Sequence, residues 1–309
     1  MKQKIKKLSS KDFTGLLEKE LSPYVKNKIK EYDFQYMEVT EDERDSIIKK
    51  IVFTLLDPFL VYSGKHRLTQ WEKGWGQNLE EYTINKKRKS IIPRYFGKYP
   101  VVRINQRWIK PASKDFEYNM LGIILDWLFD KYTRTAKDIY EFGCGTGHNL
   151  IRLRRTNPNA NLYGLDWSTS SQKLISAYAN WHKDTKLFSH RFDYFSPDKK
   201  FKLEKDAVIY TVASLEQIGD KHEKFINYLL AQKPKLCIHV EPITEVLDEN
   251  NLLDYLSIEY FKKRKYLKDF LARLQELEAE GTIKIHNTQR TLIGSFFIEG
   301  YSVIVWSPK

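Results

Sequence analysis

Cysteine is scarce in this chain of 309 residues, which contains only Cys144 and Cys237. One lies inside a glycine-rich segment and the other in an apolar segment typical of a buried strand. A disulfide framework is therefore not expected, and a reducing, cytoplasmic location fits the sequence. Cys144 has no evident partner base, so we interpret it as a small side chain that fills the loop rather than as a nucleophile.

Long apolar runs are lacking as well. No segment approaches the ~20 apolar residues that a membrane-spanning helix requires. The richest candidate, residues 47–62, is interrupted by Asp57 and Pro58. The lysine-rich residues 1–10 are followed by no apolar run of signal-peptide length. The sequence therefore predicts neither a membrane span nor a secretion signal.

Signatures of nucleic-acid and metal binding are missing too. The sequence contains no zinc-ligand spacing, helix-turn-helix pattern or aromatic-basic RNA-binding signature. His239, Glu241 and Glu245 could gather a divalent ion, but a dedicated metal-site spacing is lacking and no metal is expected. Lys and Arg cluster at residues 2–11, 86–89 and 262–265, and the net charge is +12. These clusters can attract nucleic acid or another anionic partner, although solvated helix faces are the preferred explanation.

A glycine-rich segment stands out at residues 138–147, which read Asp-Ile-Tyr-Glu-Phe-Gly-Cys-Gly-Thr-Gly. Glycine lets a backbone approach a ligand closely, and the helix that follows offers unpaired N–H groups. Asp166 comes 19 residues after Gly147, where an acid can accept hydrogen bonds from ribose hydroxyls. The Gly-x-Gly-x-Gly spacing differs from that of pyrophosphate-binding folds. Because Glu141 precedes the glycines, a cationic nucleoside cofactor is favoured over a pyrophosphate.

These features resemble the class I S-adenosylmethionine (SAM) dependent methyltransferases over residues 138–309. Residues 141–147 resemble the glycine-rich first motif, residues 192–194 the end of the third strand, and residues 207–211 the fourth strand. The resemblance implies SAM as the cofactor. The cofactor-binding residues that it implies are Glu141, Gly143, Gly145, Asp166, Trp167, Asp193 and Thr211.

The order of strand and helix patterns predicts an α/β fold with a doubly wound, mostly parallel sheet. The resemblance implies seven strands with a terminal antiparallel hairpin. Strands are predicted at residues 138–142, 161–165, 186–192, 206–211, 236–241, 282–287 and 296–306. Helices are predicted at residues 116–132, 149–155, 170–182 and 222–232, with a long helical stretch at 250–280.

A mainly helical lid or substrate region, residues 1–112, is predicted to precede the SAM-binding domain, residues 113–309. A basic amphipathic helix is expected over the first ~30 residues until Pro23, and a capping box at residues 40–43 starts another helix. Residues 93–108 predict a short β-rich or irregular connector. Residues 71–82 suit either a loop that covers a ligand or a rigid turn that packs into a core. The candidate acceptor-binding residues are Trp75, Gln77, Asn78 and Arg94, because aromatics stack on sugar faces and arginine holds anionic groups.

Methyl transfer from a sulfonium requires alignment and, for a hydroxyl acceptor, removal of a proton. Ligands lie beyond the carboxyl ends of the strands in a doubly wound sheet. The candidates for a general base or an orienting group are therefore Glu216, His222 and Glu241. Glu216 could instead cap a helix.

The sequence thus predicts a SAM-dependent methyltransferase that acts on a hydroxyl or similar group of a small polar acceptor, with a sugar or nucleotide-sugar as the specific hypothesis. The fourth-strand end, Thr211-Val-Ala-Ser214, differs from the Asn/Asp-Pro-Pro-aromatic sequence of nucleic-acid amino-methylating enzymes. An RNA or protein methyltransferase that uses the basic clusters remains an alternative. A non-catalytic SAM-fold subunit is another, and the glycine spacing disfavours a nicotinamide-dependent dehydrogenase.

Replacing Asp166 with alanine is expected to weaken SAM binding by about 3 kcal/mol or more, because hydrogen bonds from the ribose to a charged group are lost. Calorimetric titration with SAM measures the effect, and circular dichroism checks that the fold is retained. Near-normal affinity in Asp166→Ala would contradict the assigned role.

Overall fold

The computed structural model describes residues 4–309, which form two sheets flanked by helices. The strands, in chain order, are β1 (Lys6–Lys7), β2 (Gln35–Glu38), β3 (Val102–Ile104), β4 (Arg107–Pro111), β5 (Asp138–Phe142), β6 (Asn161–Asp166), β7 (Leu187–Arg191), β8 (Val208–Val212), β9 (Leu236–Glu241), β10 (Ile283–Gln289), β11 (Ile293–Gly294) and β12 (Ser302–Pro308). The helices are α1 (Ser10–Leu17), α2 (Pro23–Glu31), α3 (Glu41–Leu56), α4 (Leu68–Asn85), α5 (Phe116–Tyr132), α6 (His148–Thr156), α7 (Thr169–His182), α8 (Glu223–Gln232), α9 (Leu252–Arg264) and α10 (Phe270–Ala279).

The larger sheet has seven strands in the order β10-β12-β9-β8-β5-β6-β7. Strands β5 to β9 run parallel to one another, whereas β12 is antiparallel to both β9 and β10. The predicted α/β sheet, mostly parallel with a terminal antiparallel hairpin, is therefore confirmed. The order reverses between β5 and β8, and ligands of such sheets bind in the crevice at this point.

The central strands are buried on both faces, as parallel strands covered by helices must be. All five residues of β8 are buried, as are the last four of β5. Helices α5 and α6 contribute to one apolar cluster, and α8 and α10 contribute to another. The mainly apolar sequences made these strands predictable, and β5, β9 and α5 have the predicted bounds.

Four predicted elements differ from the structure. The strand predicted at 296–306 starts only at Ser302 and continues to Pro308 as β12. Residues 71–82 form neither a loop nor a turn but lie inside α4. The stretch at 250–280 is two helices, because Lys265, which follows α9, and Asp269, which precedes α10, both have positive φ. The single helix expected over the first ~30 residues is also two. Pro23 occupies the first turn of α2, where its missing N–H costs nothing. Residues 1–3 of the predicted helix lie outside the residues that the structure describes.

The N-terminal region carries its own sheet, in the order β1-β2-β4-β3-β11. Strands β3 and β4 form the β-rich connector that was predicted at residues 93–108. Strand β11, from the C-terminal part of the chain, pairs with β3 and completes this sheet. The boundary at residue 112 stays a prediction, because the two regions share this pairing.

A buried arginine reinforces the junction between the two regions. Arg103 on β3 is 3% exposed. Its Nη1 donates to the carbonyl of Leu253 and to Oγ of Ser257 on α9, at 2.7 Å each, and its Nη2 donates to the carbonyl of Phe297 at 2.7 Å. Burial lowers the pKa of Arg103 to about 9. One guanidinium therefore ties β3 to α9 and to the segment before β12.

None of the helices within residues 4–309 combines the length and the apolar character that a membrane crossing requires. Both cysteines are buried free thiols. Burial raises the pKa of each thiol well above its usual value, which disfavours the reactive thiolate.

Replacing Arg103 with alanine is expected to lower the free energy of unfolding by about 3 kcal/mol or more, because three buried acceptors lose their donor. Chemical denaturation measures the change. Arg107→Ala, on the same hairpin, is the matched control. Arg107 pairs with Glu38 at the surface, where the loss should stay below about 1 kcal/mol. Equal losses of unfolding free energy in the two variants would contradict the proposed role of Arg103 in tying the two regions together.

Candidate active site

A cavity of about 760 Å³ opens at the carboxyl ends of β5, β6 and β8. Its size falls within the range of roughly 300–1,000 Å³ typical of small-molecule sites. The glycine loop at 143–146 lines one part of it, the segment that follows β8 lines another, and Trp71 and Trp75 of α4 lie over it. The cavity therefore combines residues from both regions of the chain.

The glycine loop takes a conformation that requires glycine. Gly143, Gly145 and Gly147 have φ values of 69°, 54° and 75°, which side chains rarely tolerate. The amides of Gly143 and Cys144 donate to the carbonyl of Leu165 at 2.7 and 3.0 Å. A Cβ atom on Gly143 would lie 2.4 Å from Cβ of Ser214. The loop after β5 thus packs directly against the segment after β8.

Two acids, Glu141 and Asp166, line the cavity beside the glycine loop. Glu141 accepts hydrogen bonds from Nδ2 of Asn149 at 2.8 Å and from the hydroxyl of Tyr210 at 3.0 Å. Asp166 accepts from the amides of Gly145 and Ser168, at 2.9 Å each. Burial raises the pKa of Glu141 to about 8 and that of Asp166 to about 6. A cation bound nearby would favour the charged form of both groups.

Helix α6 starts beside these acids and presents two unsatisfied polar atoms. Nε2 of His148 and Oδ1 of Asn149 are buried without a hydrogen-bond partner, although both side chains line the cavity. Burial lowers the pKa of His148 to about 3, so its ring is neutral. Buried polar atoms normally find a partner, and a polar ligand would supply one here.

The remaining cofactor candidates fall into two groups. Trp167 lines the cavity and stacks on Phe195, with ring centroids 6.0 Å apart. Asp193 and Thr211 do not line it. Asp193 accepts from the amide of Phe195 and lies 3.8 Å from Nζ of Lys65. Thr211 is buried, with Oγ1 2.9 Å from Nδ1 of His239.

Glu216 is the one predicted catalytic residue whose side chain lines the cavity. It follows β8 in a 3-10 turn and accepts a hydrogen bond from Nε2 of Gln217 at 2.8 Å. Some of its surface remains accessible, which fits a position in the cavity wall. Burial raises the pKa of Glu216 to about 7, against the pull of Arg264. At neutral pH this carboxyl can therefore accept a proton.

Glu241 and His222 lie behind the cavity wall. Glu241 is fully buried and accepts hydrogen bonds from the amides of Ser214 and Leu215. Burial, with repulsion from Glu216, raises the pKa of Glu241 to about 8. Nε2 of His222 lies 2.8 Å from the carbonyl of Lys268, beyond the lining. Glu241 thus braces the segment that carries Glu216.

Only one of the four candidate acceptor-binding residues lines the cavity. Trp75 lines the cavity, and its ring covers Gly145, where an added Cβ would lie 3.0 Å from Cζ2. Gln77, Asn78 and Arg94 lie outside the lining. Nδ2 of Asn78 donates to the carbonyl of Ser90. Arg94 bonds Gln77 and Glu81 at the surface.

Sequence reasoning missed the acids and aromatics that α5 and its neighbours bring to the cavity. Glu117 in the first turn of α5 lines it and accepts from the amide of Gly97 at 3.2 Å. Burial raises the pKa of Glu117 to about 7. Tyr95 and Tyr301 line the same part of the cavity and interact electrostatically with both Glu117 and Glu216. In sequence, Glu117 is indistinguishable from an ordinary first-turn acid.

The side chains considered as metal ligands, His239, Glu241 and Glu245, do not form a metal site. Both ring nitrogens of His239 are engaged, by Thr211 and by Nε1 of Trp306. Glu245 accepts from the amide of Leu271. Within residues 4–309, no group of three His, Cys, Asp or Glu side chains is arranged to hold a metal ion.

No protein-family model matches the chain, and neither does any curated protein. Solved structures match it at low identity. Magnesium protoporphyrin IX methyltransferase from Synechocystis PCC 6803 with bound SAM is 13% identical with a TM-score of 0.47, and the match covers 76% of this chain and 97% of that one. An O-methyltransferase from neocarzinostatin biosynthesis, in complex with SAM and 2-hydroxy-5-methyl naphthoic acid, is 12% identical with a TM-score of 0.45, over 78% and 70% of the two chains. Human N-acetylserotonin methyltransferase in complex with SAM is 12% identical with a TM-score of 0.45, over 79% and 66%.

Replacing Gly143 with alanine is expected to disrupt the cavity, because the new Cβ meets Ser214 at 2.4 Å and φ is positive. We expect a destabilisation of about 1–3 kcal/mol and loss of cofactor binding, measured by thermal unfolding and calorimetry. The control is Gly74→Ala on α4, where an added Cβ meets nothing within 4 Å. That change should be neutral or stabilise the protein by up to about 1 kcal/mol. A Gly143 variant that behaves like the control would refute the packing constraint.

Proposed function

We propose that this protein is a SAM-dependent methyltransferase that acts on a hydroxyl or similar group of a small polar acceptor. The observation that carries the proposal is one cavity that joins the glycine loop and Asp166 to Glu216, at the point where the sheet order reverses. Such a cavity would offer a nucleoside site and a proton acceptor side by side.

The residues at the loop end fit SAM. Asp166 would accept hydrogen bonds from the ribose hydroxyls, and the Trp167–Phe195 pair would pack on the adenine. Oδ1 of Asn149, which lacks a partner, would accept from the ammonium of the methionine part. The buried acids Glu141 and Asp166 favour a cationic ligand, whereas a pyrophosphate would be repelled.

SAM supplies an activated methyl group, so the chain has to align the acceptor and take up its proton. Glu216 is our choice for the base, because its carboxyl titrates near neutrality in the cavity wall. Glu241 would act indirectly, since it holds the amides of Ser214 and Leu215. Glu117, with a similarly raised pKa, would orient a second polar group of the acceptor.

The cavity supports a small acceptor better than a polymer. Trp75 and α4 cover the glycine loop, and tyrosine rings line the cavity on several sides. Such rings stack on sugar faces or other flat ligands. A sugar or nucleotide-sugar remains our specific hypothesis for the acceptor.

The test is a titration with S-adenosylhomocysteine (SAH), followed by measurement of SAH release from SAM with a panel of sugars, sugar phosphates and hydroxy acids. We expect SAH to bind and at least one acceptor to give turnover. Failure of the intact protein to bind SAH would refute the proposal. SAH binding without turnover on the whole panel would favour a non-catalytic subunit.

Activity on the best acceptor should depend on pH. A base works as the carboxylate, so kcat/KM should rise with pH through about 7, the pKa of Glu216. Glu216→Gln should lower kcat by about 10²–10⁴-fold and remove this rising limb. Asp220→Asn is the control, because Asp220 lies on the surface of the same segment beside Lys221. An unchanged pH profile in the Glu216 variant would exclude it as the base.

A further inference from the structure

Two arginines from distant parts of the chain line the cavity beyond Glu216. Arg67 lies in the 3-10 turn Lys65–Arg67, and Arg264 is the last residue of α9. The segment before the turn is fastened to the end of α9, because the amide of Ser63 donates to the carbonyl of Arg264 at 2.7 Å. The two guanidinium groups are close enough for their repulsion to lower the pKa of Arg67, after the larger effect of burial.

Neutral groups alone fix the Arg67 guanidinium. Its Nη1 donates to Oε1 of Gln217 at 3.0 Å, and its Nε and Nη2 donate to Oε1 of Gln70 at 3.1 Å. The guanidinium lies over the ring of Trp71, 5.0 Å from its centroid. Arg67 is only 6% exposed, so it presents a rigid, largely desolvated cation to the cavity.

The Arg264 guanidinium is held in the same way. Its Nη1 donates to the hydroxyl of Tyr260 at 2.9 Å, and it lies over the rings of Tyr260 and Tyr266. Nε of Arg264 is buried and has no hydrogen-bond partner. Within residues 4–309, neither Arg67 nor Arg264 forms an ion pair with a carboxylate. Glu216 attracts both guanidinium groups, but one carboxyl cannot balance two largely desolvated positive charges. A bound anion would neutralise the remaining charge.

We infer that the acceptor carries an anionic oxygen group, a carboxylate or a phosphate, which Arg67 and Arg264 bind while Glu216 faces the hydroxyl to be methylated. Gln217 connects the two functions, because its Nε2 donates to Glu216 and its Oε1 accepts from Arg67. Guanidinium groups match the geometry of both anions and bind them through paired hydrogen bonds. The acceptor is thus a small molecule with a hydroxyl and an anionic group close together, such as a sugar phosphate or a hydroxy acid. This inference rests on the proposed methyl transfer.

The subsite also changes the interpretation of a basic cluster. From the sequence alone, the basic residues 262–265 were interpreted as a solvated helix face. Lys262 does lie at the surface, where it pairs with Glu259. Arg264 instead turns inward, because its guanidinium packs on two tyrosine rings.

Thermal unfolding of the full chain saturated with SAH tests the subsite, with inorganic phosphate or acetate added at constant ionic strength. We expect one of the two anions to raise the unfolding midpoint saturably. Saturation by phosphate alone assigns a phosphate-bearing acceptor, and saturation by acetate alone assigns a carboxylate-bearing one. No saturable effect of either anion overturns the inference.

Three variants test whether the anion binds at Arg67 and Arg264. Arg67→Gln and Arg264→Gln should each weaken the apparent anion affinity by about tenfold or more, because charge-assisted hydrogen bonds are lost. Arg273→Gln is the control, since Arg273 pairs with Glu223 and does not line the cavity, and its anion affinity should not change. If Arg67→Gln does not fold, Arg264→Gln decides alone. Unchanged anion affinity in the folded Arg264 variant contradicts the subsite.

SAH binding separates this inference from the proposed function. Wild-type protein that binds SAH but no anion leaves methyl transfer standing and removes only the subsite. Wild-type protein that does not bind SAH refutes the proposed function itself. The arginine variants should keep wild-type SAH affinity, because neither side chain belongs to the predicted cofactor residues.

Discussion

The close contact between Gly143 and Ser214 is the constraint on which the candidate site depends. Without a side chain at 143, the loop after β5 can lie directly against the segment after β8. Glu241 fixes that segment from beneath by accepting the amides of Ser214 and Leu215. The two halves of the doubly wound sheet therefore meet closely enough for the glycine loop and the segment after β8 to line one cavity.

The cavity is electrically polarised along its length. Glu141 and Asp166 lie at the glycine-loop end, whereas Arg67 and Arg264 lie beyond Glu216. Burial disfavours the charged forms of Glu141 and Arg67, so each end gains stability from a bound group of opposite charge. A cationic cofactor and an anionic acceptor would each neutralise the end that it meets, and Glu216 between them titrates near neutrality.

The central strands β5, β8 and β9 were predictable because they are buried almost throughout and are therefore mainly apolar. The glycine loop was predictable for a similar reason, since positive φ and close packing leave few alternatives to glycine. The interpretation of residues 71–82 failed. Glycine and tryptophan in that segment suggested irregular structure, but the surrounding tertiary contacts stabilise a helix. Glu72 on this helix caps α7 by accepting the amides of Thr169 and Ser170.

Local sequence by itself determined the order of strands and helices from α5 to β9, the glycine loop and the acid that follows it, because each depends on backbone conformation and on patterns within a few residues. Only the tertiary structure decided that Glu117, Arg67 and Arg264 meet Glu216 at one cavity. It also decided that His222 and Asn78 are engaged elsewhere. The physical reason is that these side chains come from segments up to about 200 residues apart. Their proximity depends on how β11 and α9 close against the N-terminal sheet, and no local pattern encodes that packing.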